Sequence, residues 1–360
     1  MEPETKKIRV VVAMSGGVDS STACALLHSQ GYEVIGITLK LWTPRHWVEG
    51  EKVGSCCSPQ DIGEAKIVCR QLGVPHYTYN MEERFKEKVV DQFVDSYLNG
   101  RTPNPCVSCN SFIKFDPLLK YAGALGAEYL ATGHYARIIR ENHFYLTKAK
   151  DQFKDQSYFL YMLNQAQLSR VLFPLGDYQK EEVREIARKY NLVNAEKKES
   201  QDICFLEGRD YREFIKEQTS QSLKKGAIQT QDGKILGEHL GLPFYTIGQR
   251  EKLGVATGER LYVIDKDSKT NTLIVGKESE NLKNECAIHS MNWCSDQIPN
   301  ESVRALVKVR YRHKGALATI NLLSAQEAKI VFDEDVSSIT PGQSAVFYDD
   351  ETVLGGGIIA

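Results

Sequence analysis

The chain reads as an α/β protein: a doubly wound parallel sheet, then a small β-rich central domain, then a C-terminal β-barrel. Three observations predict this. Apolar, β-branched runs alternate with helix-compatible segments from Ile8 to Tyr190, as in parallel sheets whose crossovers are helical. From Asp210 the character changes to glycines, turn dipeptides such as Asp232-Gly233 and short alternating stretches. From Glu278 onward short strand-length runs succeed one another at regular spacing, the pattern of a closed or nearly closed barrel. The expected boundaries are 1–209, 210–277 and 278–360.

In order, Ile8 to Val12 is apolar except at Arg9 and leads into Ser15-Gly16-Gly17, then into a helical stretch from Ser20 to Ser29 that Gly31 stops. Cys24 on that helix is a small core residue. Val34 to Leu39 is the second strand, and the long loop after it carries Trp42, Trp47, Cys56 and Cys57. Ser58-Pro59-Gln60-Asp61 opens a helix with a cap, a first-turn proline and an early acid. Pro75 to Tyr79 is a third strand, and an amphipathic helix runs from Glu82 to Leu98. Between Gly100 and Asn110 the two prolines of Thr102-Pro103-Asn104-Pro105 predict extended backbone, with Cys106 and Cys109 on a stiff loop. Ala127 to Thr132 is another strand, ending at Gly133-His134-Tyr135. A helix is expected around Gln179 to Tyr190, and the apolar run around Cys204 reads as a strand edge. In the barrel, Val303 to Arg312 alternates with period two. That pattern sets Lys308, Arg310 and Arg312 on one face, a stripe suited to a phosphate backbone or to solvent.

Composition excludes several classes. No stretch has the eighteen or so consecutive apolar residues of a membrane helix, and Met1 to Lys7 has no apolar leader core, so a cytoplasmic protein without membrane contact is expected. A net charge of −2 gives no global basic field, so a nucleic-acid partner must be held by local Lys and Arg. Nine cysteines, an odd number, point to thiol or metal chemistry rather than a disulfide framework.

Chemistry concentrates at strand ends, where open α/β sheets bind ligands. At the Ser15-Gly16-Gly17 corner the glycines admit close approach and the next helix offers unpaired N–H donors, so an anion there needs no lysine. The absence of a Walker-type lysine disfavours γ-phosphate transfer. Gly133 and His134 should face this turn across the crevice at the strand ends, and Leu39 ends the neighbouring strand. The Cys106-x-x-Cys109 pair is by itself ambiguous: half a zinc site, a redox pair, or part of an iron–sulfur or sulfur-transfer centre. A zinc site would want a second such pair, and the later chain has none.

Ser15-Gly16-Gly17-Val18-Asp19-Ser20 resembles the signature of the ATP pyrophosphatases, or PP-loop enzymes, which split ATP between its α and β phosphates. With Gly100-Arg101-Thr102-Pro103-Asn104-Pro105, Cys109-Asn110, Lys114-Phe115, Ala131-Thr132-Gly133-His134-Tyr135, Lys154-Asp155-Gln156-Ser157-Tyr158 and Cys204-Phe205, the whole chain resembles the tRNA-specific 2-thiouridylases in motif order. The resemblance implies ATP and Mg²⁺, an adenine nucleotide hydrolase-like first domain, and a tRNA substrate engaged at its anticodon stem-loop. A sulfur donor such as a cysteine desulfurase or relay protein is implied as well. It implies nucleotide contacts from Ala13, Met14, Ser15, Gly16, Gly17, Val18, Asp19, Ser20, Leu39 and Gly133. It also implies a persulfide on Cys204, a second thiol on Cys109, and Asn104, Pro105 and Cys106 around an everted base. His134, Lys154, Asp155, Gln156, Arg310, Tyr311 and Gln343 correspond to tRNA-contacting positions. Many relatives have aspartate at the position of Cys106. With Cys109 and Cys204 it would make a three-thiolate set suited to a [4Fe-4S] cluster, an alternative to the persulfide. Two other classes are weighed: an amide-forming synthetase, for which Cys204 is dispensable, and a non-catalytic RNA-binding protein with a metal knuckle.

Overall fold

The computed structural model describes residues 7–43, 58–199, 203–220, 223–255, 258–296 and 301–360. Trp47, Cys56, Cys57 and the segment 200–202 lie outside them.

The first sheet is parallel throughout, with strands β1 (Arg9–Ala13), β2 (Glu33–Lys40), β3 (His76–Asn80), β4 (Tyr129–Ala131) and β7 (Val171–Leu172) in the order β3-β2-β1-β4-β7. Chain direction across the sheet reverses between β1 and β4, which makes their carboxyl ends the switch point. Val10, Val11 and Val12 are fully buried because helices cover both faces, hence the unbroken apolar run. Helix Val18–Ser29 follows β1, and helix Pro59–Gln71 follows β2 with the expected cap at Ser58, which Asp61 completes into a capping box. The Glu82–Leu98 segment is helical throughout, with a wider π-type stretch at Lys86–Asp91.

A hairpin of β5 (Arg137–Arg140) and β6 (Phe144–Thr147) leaves this sheet and joins the barrel edge, Thr147 pairing with Thr352. The middle segment forms a four-stranded sheet from β8 (Gly226–Thr230), β9 (Ile235–His239), β10 (Tyr262–Asp267) and β11 (Thr272–Gly276), ordered β10-β11-β8-β9. The barrel comprises β12 (Leu282–Trp293), β13 (Ser302–Lys308), β14 (Ala316–Leu322), β15 (Ala328–Ser337), β16 (Ser344–Asp349) and β17 (Thr352–Ile359). Its order is β12-β15-β14-β13-β16-β17, and pairing of β12 with β17 closes it. Its inner face holds Val307, Ile320, Ile330 and Phe347, all 0% exposed. Among the described residues no helix is long and apolar enough to cross a membrane.

Three expectations are corrected. Cys106 and Cys109 lie in a helix, Pro105–Cys109, that continues through Asn110–Phe115, and not on an extended loop. Pro105 takes the first helical position, where a missing N–H costs nothing, and the Asn104 side chain caps the Val107 N–H. The basic stripe does not form, because β13 stops at Lys308: its neighbours end at the pairs Val307–Ala316 and Lys308–Val346, so Val309 to Arg312 has no ladder partner and turns. Cys204 opens a single helical turn, Cys204–Leu206, rather than a strand edge, and Glu207 and Gly208 close it with φ of 56° and 75°.

Candidate active site

Two turns meet at the switch point and form the candidate nucleotide site. After β1, Gly16 adopts φ 74°, and a Cβ there would sit 2.3 Å from the Asp61 carbonyl oxygen, so no other side chain fits. Gly17 stands at the helix N-cap with no side-chain capping bond, which leaves the first-turn N–H groups of Val18 and Asp19 open to an anion. Ser15 and Ser20 rigidify the turn: Ser20 Oγ accepts from the Ser15 N–H at 3.1 Å and donates to the Gly17 carbonyl at 3.1 Å. Across the crevice, a Cβ on Gly133 would come within 2.7 Å of the Ser20 nitrogen, so the end of β4 packs directly on this helix start. Met14, Val18 and Leu39 are buried, at 2%, 3% and 7% exposure, so their contribution to a nucleotide is shape. The open N–H groups of this cradle fit a nucleotide's phosphates.

Charged side chains around the turn come from distant segments. Lys197 donates to the Gly16 carbonyl at 3.2 Å and pairs with Asp61 and with Glu64. Burial disfavours its charge, yet the two carboxylates outweigh it and raise its pKa. Asn194 Nδ2 donates to the Gly16 carbonyl at 3.0 Å and to Ser21 Oγ at 2.9 Å. Asp19 accepts from the Tyr135 hydroxyl at 2.8 Å and from Lys180 at 2.6 Å. Sequence reasoning missed Lys180, Asn194, Lys197 and Glu199, and quoted Tyr135 only as part of a motif. Only Lys180 carried a local signal, a basic residue at a helix start, which many solvated helices share; the others act across segments distant in sequence.

The thiol-bearing segments meet on the helical run Glu82–Leu98. Helix Pro105–Cys109 packs on its Lys86–Asp91 stretch, and Cys109 is 8% exposed in the apolar cluster that holds Phe85, Val89 and Phe93. Cys204 is half-buried and packs on the same cluster. The following residue is its anchor: the Phe205 ring lies 5.1 Å from Phe93, 5.2 Å from Phe214 and 5.9 Å from Phe85. Phe115, at the far end of the Cys109 helix, sets its ring 5.9 Å from His134, which links this helix to the crevice. His134 is buried, its Nδ1 2.7 Å from the Thr132 hydroxyl. Burial, and then the nearby Lys114 charge, hold its pKa well below the usual histidine value, so it is neutral. Cys106 is exposed on the first turn of its helix, while Cys109 three residues on points into the core. Among the described residues no three His, Cys, Asp or Glu side chains gather closely enough to hold a metal ion. The three-thiolate set is therefore not assembled here, and the residues do not fit an iron–sulfur cluster in this conformation.

Other residues expected at the RNA have internal partners. Asp155 is 5% exposed and accepts from the Ala149 N–H, the Ser157 N–H and the Ser157 hydroxyl, so its carboxylate is not presented outward. Gln156 Oε1 accepts from the Tyr135 N–H, and Lys154 pairs with Glu199 at 2.6 Å. Gln343 donates to the carbonyls of Thr102 and Pro103 at 3.0 and 3.1 Å, tying the Asn104-Pro105 entrance to the barrel. Arg310 donates to the Ser337 carbonyl, and Tyr311 packs against Phe159 with ring centroids 4.6 Å apart and planes tilted by 40°.

An uncapped glycine turn at the switch point of a parallel sheet, without a Walker lysine, defines a nucleotide-binding protein of the PP-loop class. Family models match three successive segments: a tRNA methyl transferase HUP domain at residues 8–208, a tRNA methyl transferase PRC-barrel domain at 212–277, and an aminomethyltransferase beta-barrel domain at 283–359. The chain is 47% identical over 355 residues to the tRNA-specific 2-thiouridylase MnmA of Carboxydothermus hydrogenoformans, covering 98% of this chain and 97% of that one. It is 46% identical to the protein of that name from Clostridium acetobutylicum, covering 98% and 99%. For the one from Geotalea uraniireducens the identity is 47%, covering 100% and 96%. The chain belongs to the tRNA-specific 2-thiouridylase family. A solved 4-thiouridine synthetase in complex with RNA and bound ATP overlaps at a TM-score of 0.37 with 17% identity, covering 58% of this chain and 50% of that one.

Proposed function

We propose that the protein is a cytoplasmic tRNA-uridine sulfurtransferase that replaces the C2 oxygen of the wobble uridine with sulfur at the expense of ATP. The observation that carries this reading is the packing of both thiol segments on one helical run, which the Cys109 helix connects to the nucleotide crevice through Phe115 and His134.

A uridine C2 carbonyl is a poor electrophile until its oxygen becomes a leaving group. That oxygen attacks the α-phosphorus of ATP, and pyrophosphate leaves with the electron pair of the broken P–O bond toward the open N–H groups behind Gly17. Mg²⁺ supplies charge neutralisation on the phosphates when bound. The outer sulfur of a Cys204 persulfide then attacks C2, and AMP departs with the former C2 oxygen. The Cys109 thiolate attacks the Cys204 sulfur, which releases thiouridine and leaves a Cys109–Cys204 disulfide for a thiol reductant to open. Asn104, Pro105 and exposed Cys106 hold the everted base. A cysteine desulfurase or relay protein loads Cys204, segment 1–209 carries the chemistry, and the barrel at 278–360, beyond the small central domain at 210–277, contacts the tRNA.

The test is mass analysis of wobble uridine after incubation of unmodified tRNA with protein, ATP, Mg²⁺ and a sulfur donor. The expected result is a sulfur-for-oxygen exchange that Cys204→Ser and Cys109→Ser abolish, while tRNA-dependent AMP formation persists in Cys204→Ser. Full thiolation by Cys204→Ser would overturn the reading.

A further inference from the structure

The phosphate turn contains no lysine, yet a cation stands at its mouth. Helix Lys180–Lys189 begins there, and the Lys180 N–H is pinned by Asp151 Oδ2 at 3.0 Å. The Lys180 side chain is 6% exposed, and its ammonium lies 2.6 Å from Asp19 Oδ1 and 2.6 Å from Glu199 Oε1. It also lies 5.6 Å from the centroid of the Tyr135 ring, whose hydroxyl is bonded to Asp19. The second oxygen of Glu199 is 2.6 Å from Lys154 Nζ. Two lysines from distant segments thus converge on one carboxylate beside an uncapped helix N-terminus.

The two carboxylates on Lys180 are not equivalent. Asp19 belongs to the first turn of its helix, where a negative side chain is favoured in any state. Glu199 is brought in from outside the turn and bridges two ammonium groups, as two oxygens of one phosphate would. Burial raises its pKa, but the bonds to Lys154 and Lys180 outweigh this and hold it ionised. Burying an ammonium is costly without compensating charge, so Lys180 needs an anion whether or not a nucleotide is present.

We propose that Lys180, with Lys154, is the cation pair that receives the pyrophosphate portion of ATP, and that Glu199 is an internal anion holding their place until the nucleotide displaces it. The proposal rests on the reading above and supplies the positive charge its phosphate turn lacks. As the α-phosphorus–oxygen bond breaks, the electron pair passes to pyrophosphate, and the Lys180 ammonium neutralises that growing charge. Lys154 is thereby assigned to phosphate, whereas the family resemblance implies a tRNA contact.

The test is calorimetric binding of inorganic pyrophosphate with Mg²⁺ to the full chain, without tRNA, for wild type, Lys180→Met, Lys180→Arg and Glu199→Gln. Lys180→Met is expected to weaken binding by about tenfold or more, as truncation of one partner in a buried charge pair does, with Lys180→Arg restoring most of it. Glu199→Gln is expected to tighten binding by about threefold, because the competing charge is gone. A purely structural ion pair would be weakened by either change, so opposite signs are the signature. Unchanged or weaker binding in Glu199→Gln overturns the proposal, and that variant decides alone if thermal melting shows Lys180→Met unfolded. Failure of the thiolation reading shows up separately, as no tRNA-dependent AMP from the wild type.

Discussion

Phe205→Ala isolates what holds the Cys204 segment in place. The Phe205 side chain is 1% exposed and makes ring contacts with Trp42, Phe85, Phe93 and Phe214 at centroid distances of 6.5, 5.9, 5.1 and 5.2 Å. Truncating a buried Phe costs about 3–5 kcal/mol through lost transfer energy and the cavity left behind. Part of that is aromatic geometry, about 0.5–1.5 kcal/mol per pair. Because Phe205 is the middle residue of the Cys204–Leu206 turn, the loss falls first on the docking of that turn against the Glu82–Leu98 run. At about 1.4 kcal/mol per tenfold, about 3–5 kcal/mol raises the undocked population by up to about two to three and a half orders of magnitude. The assay is maleimide labelling of Cys204 followed by peptide mass mapping, with Cys109 as internal reference and urea unfolding alongside. Cys204 should label far faster in Phe205→Ala, and thiolation should slow because its sulfur is no longer pre-positioned. Labelling and urea midpoint both within about twofold of wild type would refute the anchoring argument.

Two further perturbations test the crevice. Gly133→Ala places a Cβ 2.7 Å from the Ser20 nitrogen and 2.8 Å from the Asp19 carbonyl carbon, backbone atoms that cannot yield cheaply, so the helix start is pushed out of line. ATP affinity by calorimetry should fall by about tenfold or more with tRNA affinity kept, and an unchanged ATP affinity would count against the crevice. The pH dependence follows from His134, whose pKa is held well below 6.5 by burial and then by Lys114. Below pH 6.5 the unfolded chain takes up a proton that the folded chain refuses. Its stabilising effect is thus complete above that value and lost as pH falls toward the folded pKa, by at most about 1.4 kcal/mol per pH unit. His76, His239 and His313 are shifted in the same direction. Urea unfolding at pH 7.5 and about pH 5.5 should therefore show a smaller loss in His134→Asn than in wild type, and equal losses would refute the assignment.

What was legible in the sequence follows from which forces are local. The parallel strands were readable because burial on both faces demands unbroken apolar runs such as Val10-Val11-Val12, and the cap at Ser58 because its partner Asp61 is three residues away. The helix at Cys106 was misread because Pro105 was weighed as a breaker; its place at the first helical position depends on Asn104 capping, which the same letters also allow in an extended turn. The stripe at Lys308 to Arg312 failed for the opposite reason: alternation continues in the sequence, but strand length is set by the partners, and β14 and β16 stop pairing at Val307 and Lys308. Lys180 and Glu199 were invisible because their meaning is a distance between segments.

The joint between the barrel and the first domain explains how residues so far apart can serve one site. Tyr158 donates to the Ser344 carbonyl at 2.8 Å, Tyr161 lies 3.2 Å from the Ser344 hydroxyl, and both tyrosines are fully buried. Thr102 donates its N–H to the Pro341 carbonyl at 2.8 Å, and Gln343 bonds back to Thr102 and Pro103. Buried polar groups must be paired, so these contacts fix the start of β16 against the entrance loop in one register. The same loop ends in Asn104 and Pro105, which start the helix that carries Cys106 and Cys109. The barrel is thus bonded to the backbone that leads into the helix of the two thiols. Rotation of the barrel would have to break paired buried groups or move the Cys109 helix with it.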